Sequence, residues 1–186
     1  MLTSEPQWVA LYTNPRAEKQ VEKNLLREGF EVYLPLLREL HTWSDRKKWV
    51  EVPLLKSYIF AKITLRQETL VRNVVGVAFL IKFKNNVLTI PEREIQMMKD
   101  FIASKVEIQV RNVESLQLGK KVRIIAGPLE GMEGTLVSRC EDGNFAVEIS
   151  GISMAMVAQV DKDLMQVIDD EAETKPTPKR KKYNIR

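Results

Sequence analysis

The chain has a single cysteine, Cys140, among 186 residues. An intramolecular disulfide is therefore impossible, and a reducing, cytoplasmic setting is expected. It also has a single histidine, His41. With no second histidine and no cysteine near it in sequence, no His/Cys metal site is expected. No apolar run approaches the roughly 18 residues of a membrane span. The first residues, Met1-Leu-Thr-Ser-Glu-Pro6, carry neither the basic nor the apolar region of a secretory leader. Neither secretion nor membrane insertion is expected. Residues Gly127 to Gly134 are glycine-rich but lack the Gly-Lys-Ser/Thr ending of a phosphate-binding loop. A Ser-His-Asp grouping can be drawn with His41 and Asp45, but any chain of this size offers such triples. Cys140 lies on a predicted strand and reads as structural. No catalytic residue, cofactor or metal is assigned, and a binding protein is expected rather than an enzyme.

What is present suits one medium domain or two small ones. Apolar residues make up 44% of the chain, enough for an ordinary core. Charge is unevenly spread. Residues 1–105 hold 17 Lys/Arg against 12 Asp/Glu, whereas residues 119–170 hold 5 against 9. A basic front and an acidic rear imply different partners for each.

Trp8-Val-Ala-Leu-Tyr12 reads as a central strand covered on both faces. Asn14-Pro15 is predicted to open a helix and Gly29 to close it, with Ala17, Val21 and Leu25 as its buried stripe. Phe30–Leu34 is a strand. Leu36–Leu40 and Trp49–Val52 flank a polar, basic hairpin tip at residues 41–48. Tyr58–Ile63 is a further strand, and Gln67–Val74 a short helix stopped by Gly76. Val77–Phe83 and Val87–Ile90 form a hairpin around Lys84-Asn85-Asn86. Pro91 starts a last helix, with Ile95, Met98, Phe101 and Ile102 facing inward. The order β-α-β-β-β-α-β-β-α implies an α+β domain over residues 1–105, a ferredoxin-like antiparallel sheet with helices.

Residues 106–117 show no helical period and read as a linker. Residues 118–168 are all β. Val122, Ile124 and Ala126 alternate, as do Phe145, Val147 and Ile149, then Met154, Met156, Ala158 and Val160. Turns fall at Gly127-Pro128, Asp142-Gly143-Asn144 and Ser150-Gly151. Five strands in so short a stretch imply a small closed barrel, with Gly131 and Gly134 at a sharp strand bend or bulge. Residues 169–186 run from acid through proline to base and cannot build a core, so disorder is expected.

Two basic groups stand out. Arg16, Lys19, Lys23 and Arg27 fall within roughly 80° on a helical wheel. A solvated face and a phosphate-contacting ridge both fit them. Arg46, Lys47 and Lys48 sit on the hairpin, where a solvated loop and phosphate contacts are again both open.

Several ordered stretches resemble the NusG family of transcription elongation factors. Trp8 to Tyr12, the Asn-Pro-Arg-Ala-Glu-Lys stretch, Pro53-Leu-Leu-Lys-Ser-Tyr-Ile-Phe60 and Gly76-Val-Ala-Phe-Leu80 resemble the family's N-terminal domain. Residues 119–137 resemble the KOW motif that follows it, so the all-β unit is expected to be a small KOW barrel. The Tyr-Thr-Asn-Pro-Arg-Ala-Glu-Lys wording is most similar to specialised paralogs of the UpxY type, antiterminators of capsule-polysaccharide operons. The resemblance implies docking on the clamp helices of the largest RNA polymerase subunit and a bridge across the DNA cleft that suppresses pausing and termination. It implies a polymerase-binding face at Leu54, Leu55 and Tyr58, completed by Tyr12 and Phe79; a core role is the alternative for all five. It also implies that Arg16, Lys19 and Lys23 lie near the exposed non-template DNA strand; Arg46, Lys47 and Lys48 on the hairpin would add phosphate contacts there or form a solvated loop. Ile152 occupies the turn that would present an apolar residue to a small-subunit ribosomal protein or a termination factor, or else packs as a turn residue. A KOW-type RNA- or ribosome-binding protein without polymerase contact is the competing reading.

Overall fold

The computed structural model describes residues 4–42, 46–137 and 144–168. Strand β1 (Gln7–Thr13) leads to α1 (Glu18–Arg27), β2 (Glu31–Tyr33) and a ribbon of β3 (Leu36–Thr42) and β4 (Lys47–Pro53). Next come β5 (Tyr58–Ile63), α2 (Glu68–Arg72) and β6 (Val77–Leu80). The short strands β7 (Lys82–Phe83), β8 (Asn86–Val87) and β9 (Thr89–Ile90) precede α3 (Glu92–Ala103). The main sheet runs β2-β5-β1-β6, with β9 also paired to β1. All its pairings are antiparallel. This is the expected α+β arrangement with β1 at its centre.

Alternation along β1 explains the layering, because successive side chains leave opposite faces of a strand. Val9 and Leu11 enter one core with Val21 and Leu25 of α1, Val71 of α2, and Ile59, Ala61 and Ile63 of β5. Trp8 and Ala10 enter a second core with Phe60 of β5 and Ile95, Met98 and Phe101 of α3. Each large apolar side chain so buried contributes about 1.5–3 kcal/mol relative to exposure.

Two local predictions need correction. Helix α1 begins at Glu18, not at Asn14-Pro15. Those residues instead open a tight turn, closed by the Ala17 N–H donating to the Asn14 carbonyl at 3.1 Å. Pro15 supplies the second turn position, and Arg16 takes the third with φ of +63°. The predicted 77–90 hairpin is also divided. Both β6 and β9 pair with β1, and only the β7–β8 tip pairs with itself, across Lys84 and Asn85 at positive φ. Gly29 does close α1. Its N–H reaches the Leu26 carbonyl and that of Phe30 reaches Leu25, the paired bonds of a Schellman cap.

The segment 106–117 is more than a linker. It contains β10 (Ile108–Asn112), which pairs residue for residue with β14 (Met154–Gln159). Its period-two pattern is shallow, with Ile108 and Val110 only half-buried, so it carries little sequence signal. The remaining strands are β11 (Leu118–Ile124), β12 (Glu133–Val137), β13 (Asn144–Ile149) and β15 (Met165–Val167). Their order is β10-β14-β13-β12-β11-β15. Among the described residues these six strands form one continuous ladder, with no pairing between β10 and β15. The predicted inward residues Val122, Ile124, Phe145, Val147, Ile149, Met156 and Ala158 are buried. Cys140, the turn at 142–143 and the tail 169–186 lie outside the described residues.

The two units share a core. Phe101 of α3 stacks on Phe145 of β13, with ring centroids 6.2 Å apart and planes inclined by 11°. Glu94 of α3, itself buried, accepts the Ser150 N–H at 2.9 Å and the Ser150 hydroxyl at 2.6 Å. Gly151, at φ +79°, lies so close to Leu88 that an added Cβ would fall 1.9 Å from its Cδ2.

Gly134 lies inside β12 rather than at a bend. A Cβ there would stand 2.5 Å from the Ala146 carbonyl oxygen and from the Phe145 ring. The register irregularity falls instead on β11, between Leu118 and Lys121. Gly134→Ala should therefore overpack this sheet and lower stability by about 1–3 kcal/mol. Urea unfolding followed by circular dichroism measures this, and an unchanged midpoint contradicts the close approach.

Candidate functional site

Three of the five candidate docking residues meet on one face of the main sheet. Tyr12 on β1 stands opposite Tyr58 on β5 and opposite Phe79 on β6. Directly opposed residues on adjacent strands bring their side chains together. The Tyr12 and Tyr58 rings meet edge to face at 5.2 Å, and Tyr12 stacks on Phe79 at 4.9 Å. Phe79 is 49% exposed, and both tyrosines are half-buried. Partial burial, then the neighbouring Tyr12, raise the Tyr58 phenol above its ordinary pKa, so it stays a neutral donor. Tyr12 and Tyr58 lie on the same sheet face as Trp8, Ala10 and Phe60. The trio is thus the uncovered end of a face whose other end is sealed.

Leu54 and Leu55 belong to the sealed end. They are 9% and 2% exposed, within the core shared with α3 and the second unit. The five residues therefore do not form one open surface. The sequence pattern could not tell an apolar residue awaiting a partner from one covered by the same chain. Ile152 shows the same effect. It is buried in the loop that carries the Glu94–Ser150 contact, next to the tight Gly151–Leu88 approach.

The basic stripe is only partly a helix face. Lys19, Lys23 and Arg27 are exposed on α1, but Arg16 lies in the preceding turn. The Lys19 ammonium donates to the Glu51 carbonyl of β4 at 2.7 Å. That bond ties α1 to the ribbon bearing Arg46, Lys47 and Lys48, which are also exposed. α1 thus lies beside the ribbon near Glu51. Glu22 sits near Lys19 and Lys23. Burial raises its pKa, while Lys19 and Lys23 oppose that rise. Glu18 turns inward, and its carboxylate accepts the Ser57 N–H at 2.8 Å, pinning the start of α1 to the 53–57 crossing. His41 is exposed, with Nε2 3.3 Å from the Glu39 carboxylate. Asp45 lies outside the described residues. Among the described residues no group of three or more His, Cys, Asp or Glu could hold a metal ion.

A polar cluster missed by the sequence reading fixes α3 to the sheet. Glu92 accepts the Trp8 indole N–H at 2.9 Å and pairs with Lys62 at 2.9 Å. The hydrogen bond from Lys62, then that from Trp8, hold the Glu92 carboxyl below its ordinary pKa. The Lys62 ammonium is held above its ordinary value, chiefly by the bond to Glu92. A depressed carboxyl contributes stability that is present above its unfolded pKa and lost as pH falls through its folded one. A raised ammonium contributes below its unfolded pKa and loses this as pH climbs through its folded one. Glu92→Gln should therefore lower the thermal midpoint slightly at neutral pH, and the deficit should shrink as pH falls through the lowered carboxyl pKa. Melts of the variant and the parent across pH test this; a deficit that persists at low pH rules out the ionic contribution.

The model of the transcription termination factor NusG family matches residues 6–99, which hold the main sheet and most of α3. A solved structure describing domain interaction in Thermotoga maritima NusG is 18% identical, with a TM-score of 0.48, over 88% of this chain and 98% of that one. A structure of the MjSpt4:Spt5 complex is 16% identical, with a TM-score of 0.30, over 87% of this chain and 97% of its own. No curated protein matches the chain. The family match spans just over half of the sequence, and the chain belongs to the NusG family of transcription factors.

Proposed function

We propose that this protein is an elongation and antitermination factor that docks on the clamp helices of RNA polymerase through its exposed aromatic trio. It bridges the DNA cleft and disfavours pausing and termination. The observation that carries this reading is the Tyr12–Tyr58–Phe79 cluster, an uncovered aromatic platform at the end of the main sheet. Aromatic anchors in a shallow apolar patch suit the ridge of a partner helix. Leu54 and Leu55, buried in the shared core, stay outside that platform. The basic flank formed by α1 and the β3–β4 ribbon suits the exposed non-template strand. The wording around Tyr12 to Lys19 supports a specialised role in capsule-polysaccharide operons, of the UpxY type. The second unit, read as a KOW domain, would then serve a ribosomal protein or termination factor through Ile152 once that loop is free.

Tyr58→Ala combined with Phe79→Ala should weaken binding to core polymerase at least about thirtyfold, the loss typical of two anchor residues. The far-UV circular dichroism should stay unchanged. Binding at parental strength by the folded variant contradicts the docking face. Separately, Lys19→Glu with Lys23→Glu should reduce loading on an elongation complex with exposed non-template DNA, yet spare binding to polymerase alone. Equal loading returns those lysines to a solvated face.

A further inference from the structure

The β3–β4 ribbon carries an aromatic residue that neither the fold nor the proposed docking uses. Trp49 is 57% exposed, and its cross-strand partner Leu40 is 47% exposed. Lone exposed apolar residues are common and need no partner. Trp49 is not alone. It borders a groove of about 630 Å³ between the ribbon and the end of α3, lined also by Leu36, Leu37, Arg38, Ile102 and Lys105. That size admits one small planar ligand. The Arg38 guanidinium carbon lies 5.9 Å from the centre of the Trp49 ring.

Charge decides what kind of ligand fits. Arg38 and Lys105 line the groove, against the single acidic residue Glu51. Lys47 lies two residues from Trp49 on the same face of β4, about 6.8 Å along the strand. Lys48 leaves the opposite face of β4 and does not border Trp49. An acidic environment would favour a cationic partner, and an uncharged rim would favour an apolar helix. An aromatic platform in an apolar groove with Arg38, Lys105 and the neighbouring Lys47 in excess over Glu51 matches a ligand with a flat face and an anionic backbone.

We infer that Trp49 is a stacking platform for one unpaired nucleobase of single-stranded nucleic acid, with Arg38, Lys47 and Lys105 holding the adjoining phosphates. A base on an indole is sequence-tolerant, because every base presents a π-face. The Arg38 guanidinium already stands over one face of the ring, so a base takes the other face or displaces the arginine onto its own far side as a second plane. This site rests on the reading that the basic flank meets nucleic acid, and it adds the residue that takes hold of a base.

The test uses the full chain and two fluorescent single-stranded DNA oligonucleotides of equal length, one normal and one fully abasic. The parent should bind the normal strand about tenfold more tightly than the abasic one. Trp49→Ala should remove that preference and leave abasic binding and its salt dependence unchanged. Trp49→Phe should retain most of the preference. Because the side chain is mostly exposed, the thermal midpoint of Trp49→Ala should match the parent. Equal binding of both strands by the parent, or an intact preference in Trp49→Ala, overturns the stacking site while leaving a basic flank that reads phosphates. Failure of both strands to bind overturns the nucleic-acid reading of the flank along with it.

Discussion

Burial of β1 on both faces is the constraint on which the rest of this molecule depends. Val9 and Leu11 need the helices α1 and α2 above them, and Trp8 and Ala10 need α3 below. A strand with apolar residues at successive positions needs both faces of its sheet covered, since otherwise half its side chains would face water. Its backbone is paired on both sides as well, by β5 on one side and by β6 and β9 on the other. That placement also sets the register that lines up Tyr12 with Tyr58 and Phe79. The candidate docking platform is a by-product of how the core strand is paired.

The same logic reaches the second unit. Helix α3 covers one face of the sheet, but it buries Phe101 against Phe145 rather than against its own domain alone. The two units are joined by a continuous apolar layer and by the carboxylate of Glu94 on Ser150. A buried carboxylate needs hydrogen-bond donors, and Ser150 supplies two. Residues assigned to outside partners, Leu54, Leu55 and Ile152, are therefore occupied within the chain. For Ile152, access and contact between the units are competing uses of one surface.

Legibility in the sequence followed the strength of the local signal. Two-sided strands, the Gly29 cap and the inward face of α3 were readable because each is written in a run of neighbouring residues. The β10 strand was not, since two half-buried residues make too weak an alternation. Gly134 was misread because a glycine needed for close approach looks in sequence like one needed for a bend. The candidate site divided in the same way. The aromatic trio and the basic residues could be nominated by type and position. The open state of three docking residues and the covered state of two could not, because burial depends on segments far along the chain.

The sequence by itself determined the class of the molecule: a basic α+β front, an acidic all-β rear, and the family wording of Trp8–Tyr12 and Pro53–Phe60. These are properties of composition and short-range pattern, which the chain carries whether folded or not. Tertiary structure alone decided that β10 belongs to the rear sheet, that the units share a core, and that Arg38, Trp49 and Lys105 border one groove. Those outcomes rest on contacts between residues tens of positions apart, where side-chain volume and hydrogen-bond geometry choose among arrangements that local pattern leaves equal.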